Sequence, residues 1–456
     1  MYNAYITRIK NLHKHPNADR LQIGECFGNA VIVSMEYEDN QLGIYFPSDG
    51  QLSVEFAEAN NLLRKKDDAG NNIGGYMDPD KRNVTAIKLR GEKSDGLFLP
   101  LTALASFGDI TTLSEGDRID NFNGHEICRK YIPVKQTRQG GYSEGNRTRK
   151  KKAPVAPLFS EHADTEQLAY NLAAFKPGDE IEITLKMHGT SQRTGYLPVF
   201  KGYKRTLWDK ITRKEGKPIY DWGYVSGTRR TILENYDGGY YGDNAFREQH
   251  SKVFEGKLNK GESVYYEVVG FTNTGAPIMG NADNKKLNDK DFVKQYGDTT
   301  VFSYGCDCAQ IAWEEDRGQD PDKPQSDIYV YRMTMTNEDG FVVEYTPDFM
   351  RYRCEQMGVK TVPVFTRLII DYASNISEDT NKIGEMVKLL AEQYFDGPDP
   401  IGKTHIREGV VVRIINRPKF CAYKHKNWYF KALEGIVKVE AEAPDMEEAD
   451  GLEKEA

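Results

Sequence analysis

Long apolar runs are missing from this 456-residue sequence. No stretch approaches the roughly 20 apolar residues that a helix needs to cross a bilayer. The opening MYNAYITRIK also lacks the apolar run of a signal peptide. We therefore expect a soluble cytoplasmic protein with no membrane partner, and the length favours two folded units joined by connecting segments.

Cysteine is sparse as well. The six cysteines are scattered, with one C-x-C pair and no paired C-x-x-C sets of the kind that hold zinc. The sequence therefore favours reduced, mostly structural thiols. It also contains no internal repeat of fixed period.

Positive charge is in short supply overall, since the formal net charge is -8. Residues 440–456 hold eight acids against one lysine, whereas residues 129–152 hold nine Lys and Arg residues against Glu144 alone. We interpret the acidic end as a disordered tail and the basic stretch, which also contains glycines, as a flexible linker. Its basic side chains either contact nucleic-acid phosphates, with Lys150, Lys151 and Lys152 as candidates, or simply face solvent.

The first 125 residues contain short β-rich runs separated by turn signals, as expected of a small antiparallel barrel. A five-stranded OB fold suits this spacing. The segments HKHPNADRL (13–21) and KLRGEKSDGLFLP (88–100) resemble OB modules that bind tRNA in some synthetase-associated proteins. On that resemblance Arg20 and Arg90 are candidate nucleic-acid contacts, although a lone basic residue on a loop is more often merely solvated.

Beyond the linker, the sequence alternates between strand and helix patterns. TEQLAYNLAAF predicts a short helix, and EIEITLKMHGTS alternates apolar and polar residues with period two, which places Lys186 at the polar-facing end of a strand. Further strands are predicted at SVYYEVVGF, TVFSYG, DIYVYRMTM, EGVVVRII and FCAYKHKNWYF. A helix is predicted at about 378–395, so this region is mixed α+β.

Short motifs follow one another through this second region. They are Lys186-Met187-His188-Gly189-Thr190, Ser226-Gly227-Thr228-Arg229-Arg230, Tyr266-Glu267-Val268-Val269-Gly270, Phe302-Ser303-Tyr304, Glu408-Gly409-Val410-Val411-Val412-Arg413 and Lys424-His425-Lys426. In this order they resemble the covalent nucleotidyltransferase superfamily of ligases and capping enzymes, and the resemblance covers nearly all of the second region.

Two features of this sequence are similar to those of the RNA ligases within that superfamily. His188 stands where many DNA ligases and capping enzymes carry Asp, and the candidate barrel precedes the catalytic region. Leu185 departs from the pattern, because relatives often have Glu before the nucleophile. The resemblance implies an α+β fold with an N-terminal OB-like β-barrel (1–125), a basic linker (126–164), a mixed α/β nucleotidyltransferase domain on antiparallel sheets (165–439) and an acidic tail (440–456).

The resemblance also implies the site. Lys186 is the expected nucleophile, with Lys424 and Lys426 as its catalytic partners. Glu267 and Glu408 are the expected Mg²⁺ ligands, with Mn²⁺ as a substitute, although such buried acids can also form structural ion pairs. The predicted ATP contacts are His188, Gly189, Arg193, Arg229, Arg230, Glu267, Phe302, Tyr304 and Glu408.

The chemistry explains these residue types. A lysine amine attacks the α-phosphorus of ATP only when it is neutral, and the reference pKa of lysine is about 10.4, so the site must favour the neutral form. Lys424 and Lys426 lie on one face of a strand, where they can repel a protonated Lys186 and then stabilise phosphate charge. In isolation, a K-x-K pair is more often a solvated strand face.

Arginine and aromatic residues complete the predicted site. A guanidinium matches phosphate oxygens, which favours Arg193, Arg229, Arg230 and Arg413 as contacts, although any of them can instead be a surface residue. Phe302 and Tyr304 are expected to share a strand face. One of them could stack on adenine, but core packing is the commoner role of an aromatic in a strand.

A second nucleotide-binding pattern occurs at 397–404, where GPDPIGKT fits the P-loop letter for letter. A P-loop follows a strand and opens a helix. This segment follows a predicted helix, contains two prolines without N–H donors and runs into a strand. We therefore predict that it is not a phosphate site.

The predicted function is an ATP-dependent RNA ligase that joins 3′-hydroxyl and 5′-phosphate ends through lysyl-AMP, in RNA repair. Its partners would be ATP and RNA, or a nicked duplex containing RNA, and we expect a monomer. The alternatives are a DNA ligase, a GTP-using capping enzyme, or a non-catalytic RNA-binding relative.

Overall fold

The computed structural model describes residues 2–66, 72–132, 153–162, 164–206, 208–209, 216–236, 244–308, 323–371 and 380–440. The predicted contacts Lys150, Lys151 and Lys152, and nearly all of the acidic tail, lie outside these residues. The chain divides into two compact units. Unit 1 comprises Met1–Lys135, Ala282–Thr300 and Asn427–Asp445; unit 2 comprises Gln136–Asn281, Val301–Lys426 and Met446–Ala456.

The described α-helices are α1 (Val54–Ala59), α2 (Ala245–Lys252), α3 (Lys290–Tyr296), α4 (Pro347–Met357), α5 (Thr380–Glu392) and α6 (Trp428–Glu440). Short 3-10 helices span Leu101–Leu104, Ile110–Thr112, Leu168–Tyr170, Leu172–Ala174 and Asn284–Leu287. None of the helices in the described part of the chain is long and apolar enough to span a bilayer.

The strands before the linker are β1 (Ala4–Arg8), β2 (Lys10–Lys14), β3 (Leu21–Cys26), β4 (Asn29–Ser34), β5 (Leu42–Phe46), β6 (Gly50–Leu52), β7 (Lys65–Lys66), β8 (Asn72–Gly74), β9 (Asn83–Val84), β10 (Ala86–Leu89), β11 (Glu92–Asp95), β12 (Leu97–Pro100), β13 (Arg118–Ile119), β14 (Asn121–Phe122), β15 (His125–Glu126) and β16 (Cys128–Lys130). The later strands are β17 (Glu166–Gln167), β18 (Glu180–Lys186), β19 (Thr190–Lys204), β20 (Lys217–Gly227), β21 (Glu262–Gly270), β22 (Ala282–Asp283), β23 (Thr299–Thr300), β24 (Ser326–Thr336), β25 (Val342–Glu344), β26 (Lys360–Thr361), β27 (Val364–Ile369), β28 (Gly409–Ile414) and β29 (Ala422–Lys426).

Unit 1 is built from small antiparallel sheets around one apolar core. Its larger sheets have the strand orders β12-β5-β1-β13, β2-β3-β4 and β16-β6-β9. The core includes Ile44, Phe46 and Phe56, which are fully buried. The predicted OB-like barrel is not confirmed, because the described strands of this unit form separate sheets and no closed barrel. One reason is local: Asn11 adopts a φ of 57° and the β2–β3 register shifts beside it, so β1 and β2 join different sheets.

Unit 2 contains two larger sheets. One has the order β17-β29-β28-β18-β27, and the other has the order β20-β19-β21-β24-β25, with β26 paired to β24. The strand pairs are antiparallel except β17 with β29 and β24 with β26. The predicted α+β class with mostly antiparallel sheets is therefore confirmed.

The alternation predicted for the strand of Lys186 is found in β18. Ile181 and Ile183 pack in the core with Ile383 and Val387 of α5, so the predicted helix near 378–395 is also found. On the opposite face, Glu182, Thr184 and Lys186 line a cavity together with Glu267 and Tyr331 of the second sheet. Packing of one face thus fixes which way Lys186 points.

Three local predictions were wrong. TEQLAYNLAAF forms a two-residue strand and two 3-10 turns rather than an α-helix. Residues 301–303 form no strand and Tyr304–Gly305 form a turn, where Tyr304 has a φ of 50°, so Phe302 and Tyr304 do not share a strand face. The predicted strand FCAYKHKNWYF ends at Lys426, because Asn427 caps α6 by accepting a hydrogen bond from the Phe430 N–H.

Candidate functional site

The site begins with a row of three residues across the five-stranded sheet. Lys186 pairs with Gly409 of β28, and Gly409 pairs with Lys426 of β29. Gly409 has a φ of 148°, and a Cβ there would lie 2.1 Å from the His425 carbonyl oxygen. Glycine is therefore required at the centre of this row.

A buried carboxylate joins the two lysines. The Lys186 Nζ lies 2.8 Å from Oε1 of Glu408, and the Lys426 Nζ lies 3.2 Å from the same oxygen. The Glu408 side chain is only 1% exposed, whereas that of Lys186 is 22% exposed. The predicted nucleophile, one catalytic partner and one predicted metal ligand thus meet at one point.

Lys424 lies two residues before Lys426 on β29, on the same face of the sheet. It pairs with Val411, which pairs with Thr184. Burial tends to raise the pKa of the Asp164 carboxyl, but Arg229, Arg230 and Lys424 together hold that pKa below its usual range. Lys424 therefore belongs to a basic cluster beside the lysine row.

The same cluster contains both arginines of the second motif. The Arg229 Nη1 donates to Oδ1 of Asp164 at 2.7 Å, and the Arg230 Nη2 donates to Oδ2 at 2.9 Å. Arg229 also lines the cavity that contains Lys186. Asp164 was not predicted from sequence, because it lies in a segment with no motif of its own.

The turn after Lys186 is held by backbone contacts. The Gly189 N–H donates to Oε1 of Glu267 at 3.2 Å, and a Cβ at Gly189 would lie 2.4 Å from the Val268 carbonyl oxygen. The His188 N–H donates to the Tyr304 hydroxyl at 2.6 Å. Glycine is needed because β21 approaches this turn so closely.

Tyr304 supports the turn from within the core. It is 2% exposed, and its ring lies 4.6 Å from that of His405. Burial, followed by the charges of Asp399, Glu408 and Glu267, raises the pKa of the Tyr304 hydroxyl well above its ordinary value. Tyr304 therefore keeps its proton and positions the backbone.

Phe302 is likewise a packed residue. It is 5% exposed and meets the His188 ring edge-on at 4.7 Å. Neither Phe302 nor Tyr304 lines the cavity that contains Lys186. The prediction that one of these rings stacks on adenine remains untested, and the packing does not favour it.

Tyr331 is an aromatic residue that does line the cavity containing Lys186. It lies on β24, lines the cavity with Lys186 and Glu267, and its hydroxyl is 3.0 Å from the Ser191 hydroxyl. The run DIYVYRMTM was recognised as a strand. However, which of its faces meets the cavity depends on a register irregularity that sequence alone does not show.

Two predicted phosphate contacts have other partners. Arg193 is 1% exposed and donates to the backbone carbonyls of Thr228, Phe159 and Ser160, so its role is structural. These contacts do not favour the prediction that it contacts ATP, which stays a prediction. Arg413 lies on β28 four residues beyond Gly409 and pairs with Glu182. Its Nη2 donates to the Tyr345 carbonyl at 3.2 Å.

The P-loop-like segment is already hydrogen-bonded internally. Oδ2 of Asp399 accepts the N–H groups of Ile401 at 2.9 Å and Gly402 at 2.6 Å, and Asp399 is completely buried. The segment follows α5 and leads into β28 rather than into a helix. The amides that would bind phosphate in a P-loop are therefore used by the chain itself.

The two predicted RNA-contacting loops of unit 1 pack against each other. The His15 Nε2 lies 3.2 Å from the Leu89 carbonyl oxygen, and the Asn17 Nδ2 donates to the Arg90 carbonyl at 2.9 Å. Arg20 and Arg90 are both exposed. Their role in binding remains a prediction.

The fold is shared with solved RNA ligases. A structure described as Naegleria gruberi RNA ligase with PPi matches with a TM-score of 0.53 and 16% identity, over 96% of this chain and 99% of that chain. A mutant of the same ligase with ATP and Mn matches with a TM-score of 0.51 and 16% identity, over 93% and 96% of the two chains. No protein-family model and no curated protein match the sequence.

Proposed function

We propose that this protein is an ATP-dependent RNA ligase that carries AMP on Lys186. The observation that supports this most strongly is the convergence of Lys186 and Lys426 on one oxygen of the buried Glu408. The RNA ligase fold, which extends over almost the whole chain, agrees with it. A lone surface ion pair would carry no such implication.

In the first step, Lys186 gives up a proton from the ammonium form that pairs with Glu408, and the resulting amine attacks the α-phosphorus of ATP. A P–N bond forms, the bond between the α-phosphorus and the bridging oxygen breaks, pyrophosphate leaves, and the attacking nitrogen releases a proton to solvent. Lys426 lies close enough to Lys186 to stabilise the charge that develops on the α-phosphate. Arg229, Arg230 and Lys424 are our candidates for further contacts with the nucleotide.

Two carboxylates could hold a divalent ion. Among the described residues no group of three or more His, Cys, Asp and Glu side chains forms a ready metal site. Mg²⁺ nevertheless fits, because it binds oxygen ligands and usually keeps several waters beside one or two carboxylates. Glu408 and Glu267 would be those ligands, and the bound ion would neutralise phosphate charge.

In the later steps, AMP passes from Lys186 to a 5′-phosphate end, and a 3′-hydroxyl then displaces AMP to close the strand. The substrate we propose is a nick with RNA on the 3′-hydroxyl side. Unit 1 would grip the nucleic acid through the loops of Arg20 and Arg90, as an OB-like module does, together with the basic linker.

The direct test is incubation with ATP radiolabelled at the α-phosphate. We expect label on the wild-type protein and none on Lys186→Arg, which keeps the positive charge but cannot supply a neutral amine. A wild type that takes no label, or a variant that takes as much, contradicts the proposal.

Two further comparisons separate the alternatives. Labelling by GTP instead of ATP would indicate a capping-type enzyme. Sealing of a nick with DNA, but not RNA, at the 3′-hydroxyl would indicate a DNA ligase. ATP labelling together with RNA sealing is the result we expect.

A further inference from the structure

A histidine outside the recognised motifs lies at the inner end of the cleft. His162 lines the cavity with Lys186 and is only 8% exposed. Its ring packs against Tyr265, Tyr331 and Phe420, with centroid distances of 5.5, 5.1 and 5.6 Å. Contacts on three sides fix the orientation of the imidazole.

A neighbouring arginine determines which ring nitrogen carries the hydrogen. The Arg332 Nη1 lies 3.2 Å from Nδ1 of His162, and a guanidinium can only donate. Arg332 is held in turn by Glu344, whose two oxygens each accept from its Nε at 3.0 Å. Nδ1 of His162 is therefore an acceptor, and in the neutral ring the hydrogen lies on Nε2.

The neutral form is favoured by the surroundings. Burial, followed by the charges of Arg332, Arg229 and Arg193, lowers the pKa of His162 well below its ordinary value. No hydrogen bond to Nε2 is formed by any of the described residues. The Nε2–H is thus a donor available to a ligand in the cavity.

His162 lies near residues that pair with the far end of β18 from Lys186. Lys186 and Glu182 lie four residues apart on β18, which corresponds to about 13 Å along a strand. Arg413 pairs with Glu182, and its guanidinium lies 5.0 Å from the Phe420 ring that also contacts His162. A nucleotide that has its α-phosphate at Lys186 and lies along β18 would bring its base near His162.

We propose that His162 binds the base of the nucleotide by donating its Nε2–H to a ring nitrogen of adenine. Adenine offers N1, N3 and N7 as acceptors, whereas N1 of guanine carries a hydrogen and is a donor. Arg332 and Glu344 are positioning residues that hold the required tautomer. This inference rests on the proposed function, because it assumes that ATP occupies the cleft.

The test compares His162→Phe with the wild type, using ATP and its 1-deaza, 3-deaza and 7-deaza analogues in the covalent labelling reaction. We expect His162→Phe to raise the KM for ATP about tenfold with little change in kcat, as for loss of one hydrogen bond. One deaza analogue should raise the wild-type KM by the same factor. For His162→Phe, that analogue and ATP should be equivalent.

His250→Phe is the matched control. His250 is a half-buried histidine of unit 2, and its Nε2 lies 2.9 Å from the Ser326 hydroxyl. Its replacement should leave the KM for ATP and the preference among analogues unchanged. If His162→Phe does not fold, His162→Ala removes the same donor without a bulky ring.

A wild type that uses all three analogues as well as ATP, while the His162 variants lose activity with all four nucleotides equally, overturns the inference. Failure of the proposed function looks different, because the wild type would then take no label. In that case, calorimetric titration of Lys186→Ala with ATP and the analogues still tests His162. Equal affinity for all four nucleotides would also overturn the inference.

Discussion

Two segments of unit 2 match nucleotide-binding patterns, yet their surroundings differ completely. Residues 186–190 end a strand that faces the cleft, and the Lys186 ammonium group meets Glu408 and, through it, Lys426. Residues 397–404 fold around the buried Asp399, whose carboxylate takes two of their backbone N–H groups. A segment whose sequence fits a nucleotide-binding motif thus predicts a binding site only when its fold leaves the side chains and backbone N–H groups available to a ligand.

The contrast also concerns what glycine does in each segment. Gly189 lets the turn after Lys186 approach β21, so its backbone can donate to Glu267. Gly402 lets its own loop approach the backbone of Gly305, since a Cβ there would lie 2.7 Å from that amide nitrogen. The first glycine helps to build the cleft, whereas the second serves packing alone.

The largest effect should come from Lys186. We expect Lys186→Ala to reduce covalent AMP labelling by at least about 1,000-fold, because the attacking amine is gone. Thermal unfolding should change little, since the lysine side chain is partly exposed. If Lys186→Ala were labelled to within tenfold of the wild type, Lys186 would not be the nucleophile, and residues 186–190 would no longer differ in function from residues 397–404.

Glu408→Gln should have the next largest effect. The amide keeps the size of the side chain but leaves two ammonium groups without a counter-charge, so we expect labelling to fall about 100-fold. Breaking a buried ion pair should also lower the free energy of unfolding by about 3 kcal/mol. Denaturant unfolding and labelling kinetics measure the two effects separately, and unchanged values for both would contradict this role of Glu408.

Gly189→Ala tests the close approach of the turn to β21. The added methyl group would meet the Val268 carbonyl, so we expect a stability loss of about 2 kcal/mol and a labelling rate about tenfold lower. Gly223→Ala is the matched control, because its nearest neighbour would lie at an ordinary 3.4 Å. Equal behaviour of the two variants would show that the approach at Gly189 is not needed.

Lys403→Ala should have the smallest effect. Lys403 matches the P-loop lysine, but it lies on an exposed loop whose preceding amides are bonded to Asp399. We expect labelling to change by no more than about twofold, as for most surface substitutions. A loss approaching that of Lys186→Ala would make the second segment a nucleotide site after all.

Sequence periodicity was sufficient to predict the strand of Lys186, since alternating apolar residues can bury only one face of a strand. It also predicted α5 and the strands of the later motifs. It did not predict the turn of Tyr304 or the capping of α6 at Asn427. Both depend on single hydrogen bonds or dihedral angles that compete with strand-like composition.

The cleft itself was only partly predictable. Lys186, Lys426 and Glu408 were identified by their motifs, and the structure brings them together. His162, Asp164 and Tyr331 were missed, because their place in the cleft comes from long-range packing. Arg193 was predicted to contact ATP because a guanidinium matches phosphate oxygens. In the structure, three backbone carbonyls accept hydrogen bonds from it.

The most direct test of the central claim is peptide mapping of the wild-type protein by mass spectrometry after incubation with ATP and Mg²⁺. We predict a single AMP adduct, on the peptide that contains Lys186. An adduct on the peptide that contains Lys403, or no adduct at all, would contradict the assignment of Lys186 as the nucleophile.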